Sequence, residues 1–541
     1  IKDPNVFDKI SLIALLAWVG LGADGLSSSS YGPDEAFRAL GEHRYMAIGL
    51  ALATALTVFI ISYAYSRIIE HFPFGGGGYG VATKLLGPKF GVISGAALLV
   101  DYVLTISVSI ASAVDQIFST MPSTALQYKM FAVAIIIGVL MVLNLRGIKE
   151  SIKILVPIFV LFLITHIVLI FGGILSHGFE IAKVGNEVST GFNTDMTTIG
   201  FVGMLAIFIR AYSMGAGTYT GIEAVSNSIH VMREPKVETA RRTMVYMAIS
   251  LAVTAGGILI CYLLYNVVAV PGKTMNAVLL ERFAGSWKIG NLPVGNIFVV
   301  LTLVAEAGLL FVAAQTGFIG GPRIMSNMAI DSWLPNRFNS LSDRLTMQNG
   351  VILMASAALI TLFFTGGKTS TLVLMYSINV FLTFTLTHLG MVRFAIRERK
   401  RLDHWKRPLA LFVVGLILCF LILVQVVAEK FGEGAWMTVV ITSSMITLCV
   451  LIRKHYHTVS KKLRSLSDIL TGIPEEVDSP EPSSEPMDPK KPTAILLVEK
   501  YDGLGIHSLL SILKQFPGYF SQAVFVSVAV VDSGNFKGVG E

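Results

Sequence analysis

Charge is scarce in this chain. Only 14% of its 541 residues are Asp, Glu, Lys or Arg, against about 25% in soluble globular proteins. With 53% hydrophobic residues and a mean hydropathy of +0.69, that scarcity excludes an ordinary soluble domain and implies a membrane protein. Cysteine is scarcer still. Cys261, Cys419 and Cys449 all lie inside apolar runs, so they read as small lipid- or core-facing residues, not a disulfide framework or metal set. No His/Cys cluster offers a transition-metal site, and no nucleophile–base constellation suggests an enzyme. No selectivity loop of the TVGYG kind is present, which argues against a potassium channel. The excess of basic residues, a net charge of +7, is no sign of nucleic acid binding, because membrane proteins collect Lys and Arg in their inner loops. The first segment carries mixed charges and no small-residue cleavage site, so it does not read as a signal peptide. The chain opens at Ile1 without methionine, and residues are expected to precede it.

What is present is a series of long apolar runs. A membrane-crossing helix needs about 20 mostly apolar residues, and twelve segments qualify: 10–36, 43–70, 91–119, 130–144, 152–176, 198–228, 243–268, 294–319, 349–365, 370–392, 408–427 and 435–452. Between the ninth and tenth stand only Gly366, Gly367, Lys368 and Thr369, enough for a tight hairpin. With the N-terminus inside, 27 Lys and Arg up to Arg464 fall in inner segments and nine in outer ones, with Arg210 inside a span. The positive-inside rule therefore places both termini in the cytoplasm.

After Ile452 the character changes. Residues 453–472 are basic and helix-like, and 473–492 are proline-rich and acidic, a solvated linker. An apolar run at Thr493–Val498, a helix-like stretch at Leu504–Phe516 and a second apolar run at Ala523–Val531 suggest a βαβ unit. Two strands and a helix cannot bury their own faces, so this α/β unit is expected to be incomplete, its remainder lying beyond Glu541 or in a partner subunit. The expected organisation is a transmembrane domain over 1–452, a cytoplasmic helix and linker over 453–492, and a partial regulatory domain over 493–541.

Two spans are interrupted. In the first, the apolar start gives way at Gly22 to Asp24, Gly25 and four serines before Pro33; in the sixth, Gly215, Ala216 and Gly217 break the run, with Thr218, Tyr219, Thr220 and Glu223 just beyond. Open backbone inside a bilayer is tolerated only where protein buries it or a wet cavity receives it, and freed carbonyls there are ready ligands for a hard cation. Spans 1 and 6 are equivalent members of two five-span halves, and matching interruptions in two halves point to a transporter's binding site. The ordinary alternative is helix-packing glycine, which does not explain a carboxylate beside each break. Intramembrane carboxylates are functional by default, so Asp24 and Glu223 come first. Asp101, read as near the start of the third span, and Glu306, in the eighth, are weaker candidates that could instead pair with Arg210. Tyr102, Thr105 and Ser109, spaced i, i+3 and i+7, share one helix face, and Tyr376 could close the site.

Several motifs make the chain recognisable: FPFGGGGYGVATKLLGPKFGVISGAALLVDYVLTISVSIAS (Phe72–Ser112), NLRGIKES (Asn144–Ser151), TGIEAVSN (Thr220–Asn227) with the following REPKVETARRT, and DSWLPNRF (Asp331–Phe338). They resemble the ordered signatures of amino acid-polyamine-organocation transporters over most of the first 400 residues. GGGGYG is no phosphate loop, since no Gly-Lys-Ser/Thr follows; it reads as a tight cytoplasmic turn. The resemblance implies an all-α polytopic fold of twelve transmembrane helices, with a 5+5 inverted repeat, broken helices 1 and 6, and spans 11 and 12 appended. More closely, the chain resembles bacterial high-affinity potassium importers related to the KUP-type potassium/proton symporters. That implies a homodimer in a bacterial cell membrane, proton-coupled potassium uptake, and inhibition by cyclic di-AMP through the cytoplasmic domain, with no prosthetic group.

The local chemistry agrees with a cation. Amino acid carriers of this superfamily hold a substrate carboxylate against bare backbone at span 1. A second carboxylate 4 Å away is unfavourable by about 4 kcal/mol at an effective dielectric of 20, so Asp24 argues for a cargo without one. The resemblance implies that Asp24, Tyr31, Thr220 and Tyr376 contact potassium and that Tyr102, Thr105 and Ser109 complete the wall. Glu223 would carry the coupling proton, although Asp24 and Glu223 could exchange roles. The rival cargo is a cationic amine of the polyamine kind, which would favour an aromatic face; Trp18 is the only tryptophan near the breaks. A membrane sensor without net transport is the remaining alternative.

Overall fold

The computed structural model describes residues 13–72, 77–146, 152–178, 181–229, 232–342, 346–400, 405–471, 488, 491–498 and 503–527. Parts of the Phe72–Ser112 and Asn144–Ser151 motifs, and nearly all of the linker over 473–492, lie outside these. The first apolar run forms α1 (Ala14–Ser27), a 3₁₀ turn at Ser28–Ser30, and α2 (Gly32–Ala39). Then follow α3 (Ala47–His71), α4 (Gly77–Leu86), α5 (Pro88–Phe118), α6 (Lys129–Leu145), α7 (Ile152–Ser176), α8 (Ile181–Thr198) and α9 (Gly200–Met214). After a second 3₁₀ turn at Gly215–Tyr219 come α10 (Ala224–Asn227), α11 (Lys236–Leu264), α12 (Met275–Ala284), α13 (Val294–Ile330), α14 (Gln348–Thr365), α15 (Thr369–Arg397), α16 (Lys406–Lys430) and α17 (Ala435–Thr471). A parallel pair, β1 (Thr493–Leu497) and β2 (Gln522–Val526), flanks α18 (Gly503–Gln515).

Among the described residues eleven helices are long and apolar enough to cross a membrane. The broken first segment, in pieces of 14 and 8 residues, is not among them. Burial separates centre from periphery: 94% of the apolar stretch of α5 and 89% of that of α15 are buried, against 17% for α6 and for α17. The first two therefore form the inner wall, and α6 presents its sides outward. Small residues let the central helices approach closely. Gly317 and Gly320 of α13 lie against Ile106 and the Tyr102 ring of α5, and Gly257 of α11 lies against Ile170 of α7.

The molecule divides into two compact units, Ile1–Met325 with Ser342–Ile446, and Ser326–Leu341 with Thr447–Glu541. In the second, the Arg453 guanidinium lies 3.9 Å over the Trp333 ring and the Tyr456 hydroxyl accepts from the Asn336 N–H at 3.2 Å. The DSWLPNRF motif thus packs against the middle of α17. The compositional change after Ile452 brings no break in the helix, which runs unbroken to Thr471, because basic residues continue it as well as apolar ones once it leaves the apolar phase. The strand, helix and strand expected near the C-terminus form in that order. Three helices, α4, α8 and α12, went unforeseen: α4 opens in the glycine run expected to form a tight turn, and neither α8 nor α12 is apolar enough to read as a span.

Candidate ion-binding site

The two breaks dovetail through glycine. Gly221 has φ +78°, and a Cβ there would come within 2.8 Å of the Asp24 carbonyl carbon and the Gly25 nitrogen. Gly32, just past the first break, sits so close to the second that its Cβ would meet Thr218 Oγ1 at 2.1 Å and Thr218 N at 2.7 Å. Each break lends the other a residue without a side chain, which is how two irregular backbones can touch inside a bilayer.

The first break comes later than the sequence suggests. Gly22, Asp24 and Gly25 are still helical, and the chain tightens only at Ser28–Ser30. The carbonyls expected to be free are engaged. Ser27, Ser28 and Ser29 donate their hydroxyls to the carbonyls of Asp24, Gly25 and Leu26 at 2.8, 2.5 and 2.7 Å. These are i→i−3 bonds of the kind serine makes to nearby backbone. Ser28 Oγ also lies 2.8 Å from the Thr218 carbonyl, tying one break to the other. The second break tightens at Gly215, as the glycines require, and Thr220 is extended beyond it.

Side-chain oxygens therefore dominate the junction. Asp24, Tyr31, Thr220, Glu223 and Tyr376 are all buried. Tyr31 Oη lies 3.3 Å from Thr220 Oγ1, which itself donates to the Gly217 carbonyl at 2.7 Å. Thr105 Oγ1 donates to the Asp101 carbonyl at 3.0 Å. A hydroxyl whose proton is held by a carbonyl turns its lone pairs the other way, which suits it to receive a cation. Tyr31, Tyr102 and Tyr376 each share an electrostatic neighbourhood with Asp24, Asp101 and Glu223. Among the described residues none of these three carboxylates has an ion-pair partner, and Asp101 Oδ1 and Glu223 Oε2 lack any hydrogen-bond partner. Nor do three His, Cys, Asp or Glu side chains there converge as a metal-ligand set.

Residues 28–454 match the amino acid permease family. Potassium transporter KimA of Bacillus subtilis (strain 168) is 30% identical over 470 residues, covering 86% of this chain and 74% of that protein. The chain belongs to the amino acid permease family, as a relative of KimA. It is a multi-pass membrane transporter, not an enzyme. Among solved structures, a mutant of the Eremococcus coleocola manganese transporter superposes at TM-score 0.45 with 13% identity. The same transporter bound to an aromatic bis-isothiourea compound gives 0.42 and 15%. Each covers 84% of this chain and 95% of its own.

For a permease of this family the placement of the remaining candidates is informative. Asp101 is not near the start of its helix: α5 begins at Pro88, so at 1.5 Å per residue Asp101 lies about 20 Å along it. It stands on one stripe with Thr105 and Ser109 at i, i+4 and i+8, a spacing that could have promoted it from the sequence. Ser109 is buried one turn beyond Thr105. Tyr102 is held by Asn227, whose Nδ2 donates to its hydroxyl at 3.0 Å. A threonine unforeseen in the sequence, Thr316 of α13, lies near the Asp24 carboxylate, with its hydroxyl donating to the Ala313 carbonyl at 2.7 Å. Arg210 pairs with neither Asp101 nor Glu306. It faces Glu429 of α16 at 3.2 Å, because its side of α9 looks outward. Gly77 and Gly78, expected in a tight turn, instead open α4, where a side chain would strike Asn227 and Thr383. Trp18 turns from the breaks, donating to Ser250 at 3.1 Å and packing on Phe159.

Proposed function

We propose that this permease imports potassium ions by alternating access, coupled to protons. The observation that carries the reading is the buried junction in which Asp24, Asp101 and Glu223 lie within electrostatic reach of one another with no basic partner among the described residues. Buried ionised carboxylates without countercharge are prohibitively unfavourable, so the junction has to hold cations, protons or both. Hydroxyl oxygens from Tyr31, Thr105, Thr220 and Tyr376 supply the weakly charged ligands that suit potassium, with Tyr102 and Ser109 on the wall. Asp24, touching Gly221 across the two breaks, is the residue through which a bound ion would feel both halves move. Glu223, with an unpaired oxygen, is the coupling group. KimA's potassium transport supports the cargo.

The same reading takes the broken first segment as a twelfth crossing, the two broken halves as a 5+5 inverted repeat, and the termini as cytoplasmic. The C-terminal α/β unit would then act as a regulatory domain, through which cyclic di-AMP inhibits a homodimer. The test is potassium or rubidium tracer uptake into proteoliposomes with and without an inward proton gradient. Uptake accelerated by the gradient and competed by potassium is expected. Uptake of putrescine without uptake of potassium or rubidium would assign the site to cationic amines instead.

A further inference from the structure

One face of α11 carries a groove that the ion-binding junction does not use. At the charged end of the helix, Glu238, Arg241, Arg242, Val245 and Tyr246 line one cavity. Past Tyr246 a second begins, of about 390 Å³, walled by Ile249 and Val253 of α11, Leu15 and Trp18 of α1, and Ile167 and Phe171 of α7. Tyr246 belongs to both. Glu238, Arg242, Tyr246, Ile249 and Val253 recur at intervals of three and four, so the two cavities follow one stripe of the helix. From Arg242 to Val253 the stripe runs about 17 Å at 1.5 Å per residue. That is close to the ~15 Å of hydrocarbon in one leaflet.

The two ends differ in chemistry. At the deep end Leu15, Ile167, Phe171, Ile249 and Val253 are exposed, and His166 at its floor is buried. The polar side chains there are spent inside the protein. Trp18 Nε1 donates to Ser250 Oγ at 3.1 Å, Ser250 donates to the Tyr246 carbonyl at 2.7 Å, and Thr254 to the Ser250 carbonyl at 2.8 Å. The shallow end is basic. Arg241 Nη1 lies 3.2 Å from Glu70 Oε1, a carboxylate it shares with Arg67 at 2.8 Å, and Arg242 pairs with Glu238. Three guanidiniums thus face two carboxylates and leave one positive charge over, while Lys236 and Glu234 pair with one another at 3.3 Å. Arg241 and Arg242 are both exposed, so their planar forks can turn to a phosphate. Basic charge at one end and apolar surface along the rest match an anionic lipid. We infer that this groove binds one anionic phospholipid, its phosphate at Arg241 and Arg242 and an acyl chain along α11 between α1 and α7. Leu15 and Trp18 stand on the same helix as Asp24, and a Cβ at Gly25 of that helix would lie 3.2 Å from Met247 Sδ of α11. The lipid therefore bears on the ion site through α1.

Binding is read without transport, on the whole protein in phosphatidylcholine vesicles. These carry a trace of phosphatidylglycerol, or of phosphatidylcholine, with a photoreactive diazirine in the acyl chain. After illumination, adducts mapped by mass spectrometry are expected on Leu15, Phe171, Ile249 or Val253, and more from phosphatidylglycerol than from phosphatidylcholine. An arginine at an anionic headgroup adds about a fivefold preference. Arg241→Gln should therefore lower the ratio by that factor and the double variant with Arg242→Gln further, with the phosphatidylcholine adducts unchanged. Val253→Trp fills the deep end and should remove the adducts of both lipids at Leu15 and Phe171; if it fails to fold, the two exposed arginine positions carry the test. Equal labelling by the two lipids, or a preference untouched by the arginine substitutions, overturns the site. Adducts from neither lipid would mean that protein covers the groove, residues 1–12 or a second copy of the chain, and would overturn it as well.

Discussion

At the residue scale, Asp24 was legible because a carboxylate inside an apolar run has few structural excuses. What surrounds it was less so. The serine run reads as a source of free oxygens, yet Ser27, Ser28 and Ser29 spend their hydroxyls on carbonyls three residues back. That pairing depends on local backbone angles, which residue identity does not fix. Asp101 was undervalued for a geometric reason, since a helix start misplaced by three residues moved it toward the membrane surface. Two predictions belong here. Asp24→Asn keeps the shape of the side chain but removes its charge, so the half-saturation concentration for rubidium uptake should rise about tenfold or more, equivalent to about 1.4 kcal/mol. Unchanged affinity would remove Asp24 from the ligand set. Glu223→Gln mimics a permanently protonated acid. It should abolish gradient-driven accumulation while leaving exchange of tracer against internal potassium, and an intact response to the proton gradient would exclude Glu223 as the coupling group.

At the scale of elements, both breaks were legible from composition. Gly215, Ala216 and Gly217 marked the second correctly, while the first begins only at Ser28, nearly two helical turns past Gly22. The difference is physical. Glycine permits a break, but α1 stays helical through Asp24 and Gly25 because no competing bond is offered until the serines arrive. How the breaks meet was not legible, since contact between segments nearly 200 residues apart leaves no trace in a single sequence. Gly32 gives a sharp test. An added methyl would lie 2.1 Å from Thr218 Oγ1 and 2.7 Å from Thr218 N, so Gly32→Ala must push the breaks apart. A destabilisation of about 1–3 kcal/mol is expected from overpacking of this kind, seen as a lowered melting temperature, together with loss of uptake. Shortening the neighbour should not help: Thr218→Gly leaves the backbone nitrogen in place, so the double variant should stay inactive. Recovery of transport in that variant would mean the clash is with the hydroxyl alone.

At the scale of the molecule, the apolar runs foretold the spans, and the α/β order near the C-terminus was readable from its alternation. Its surroundings were not, because strand sequences do not say what covers them. Ala494 and Leu496 of β1 are buried, whereas Ile495 and Leu497 are 68% and 77% exposed. That leaves one apolar face without cover among the described residues, although parallel strands are normally covered on both. If this unit is regulatory, ending the chain after Thr471 should leave uptake intact and abolish its inhibition by cyclic di-AMP. Loss of both would make the unit structural. Orientation, argued from the distribution of Lys and Arg, can be tested directly because the background is clean. Cys261, Cys419 and Cys449 are free but fully buried, so a membrane-impermeant maleimide should leave the parent protein unlabelled. Lys288, after α12, and Arg397, at the end of α15, are both exposed, and the charge bias puts them on opposite sides of the bilayer. In intact cells Lys288→Cys should react and Arg397→Cys should not, whereas both should react in opened membranes. The reverse pattern in intact cells would invert the topology, and with it the direction in which Glu223 loads and releases its proton.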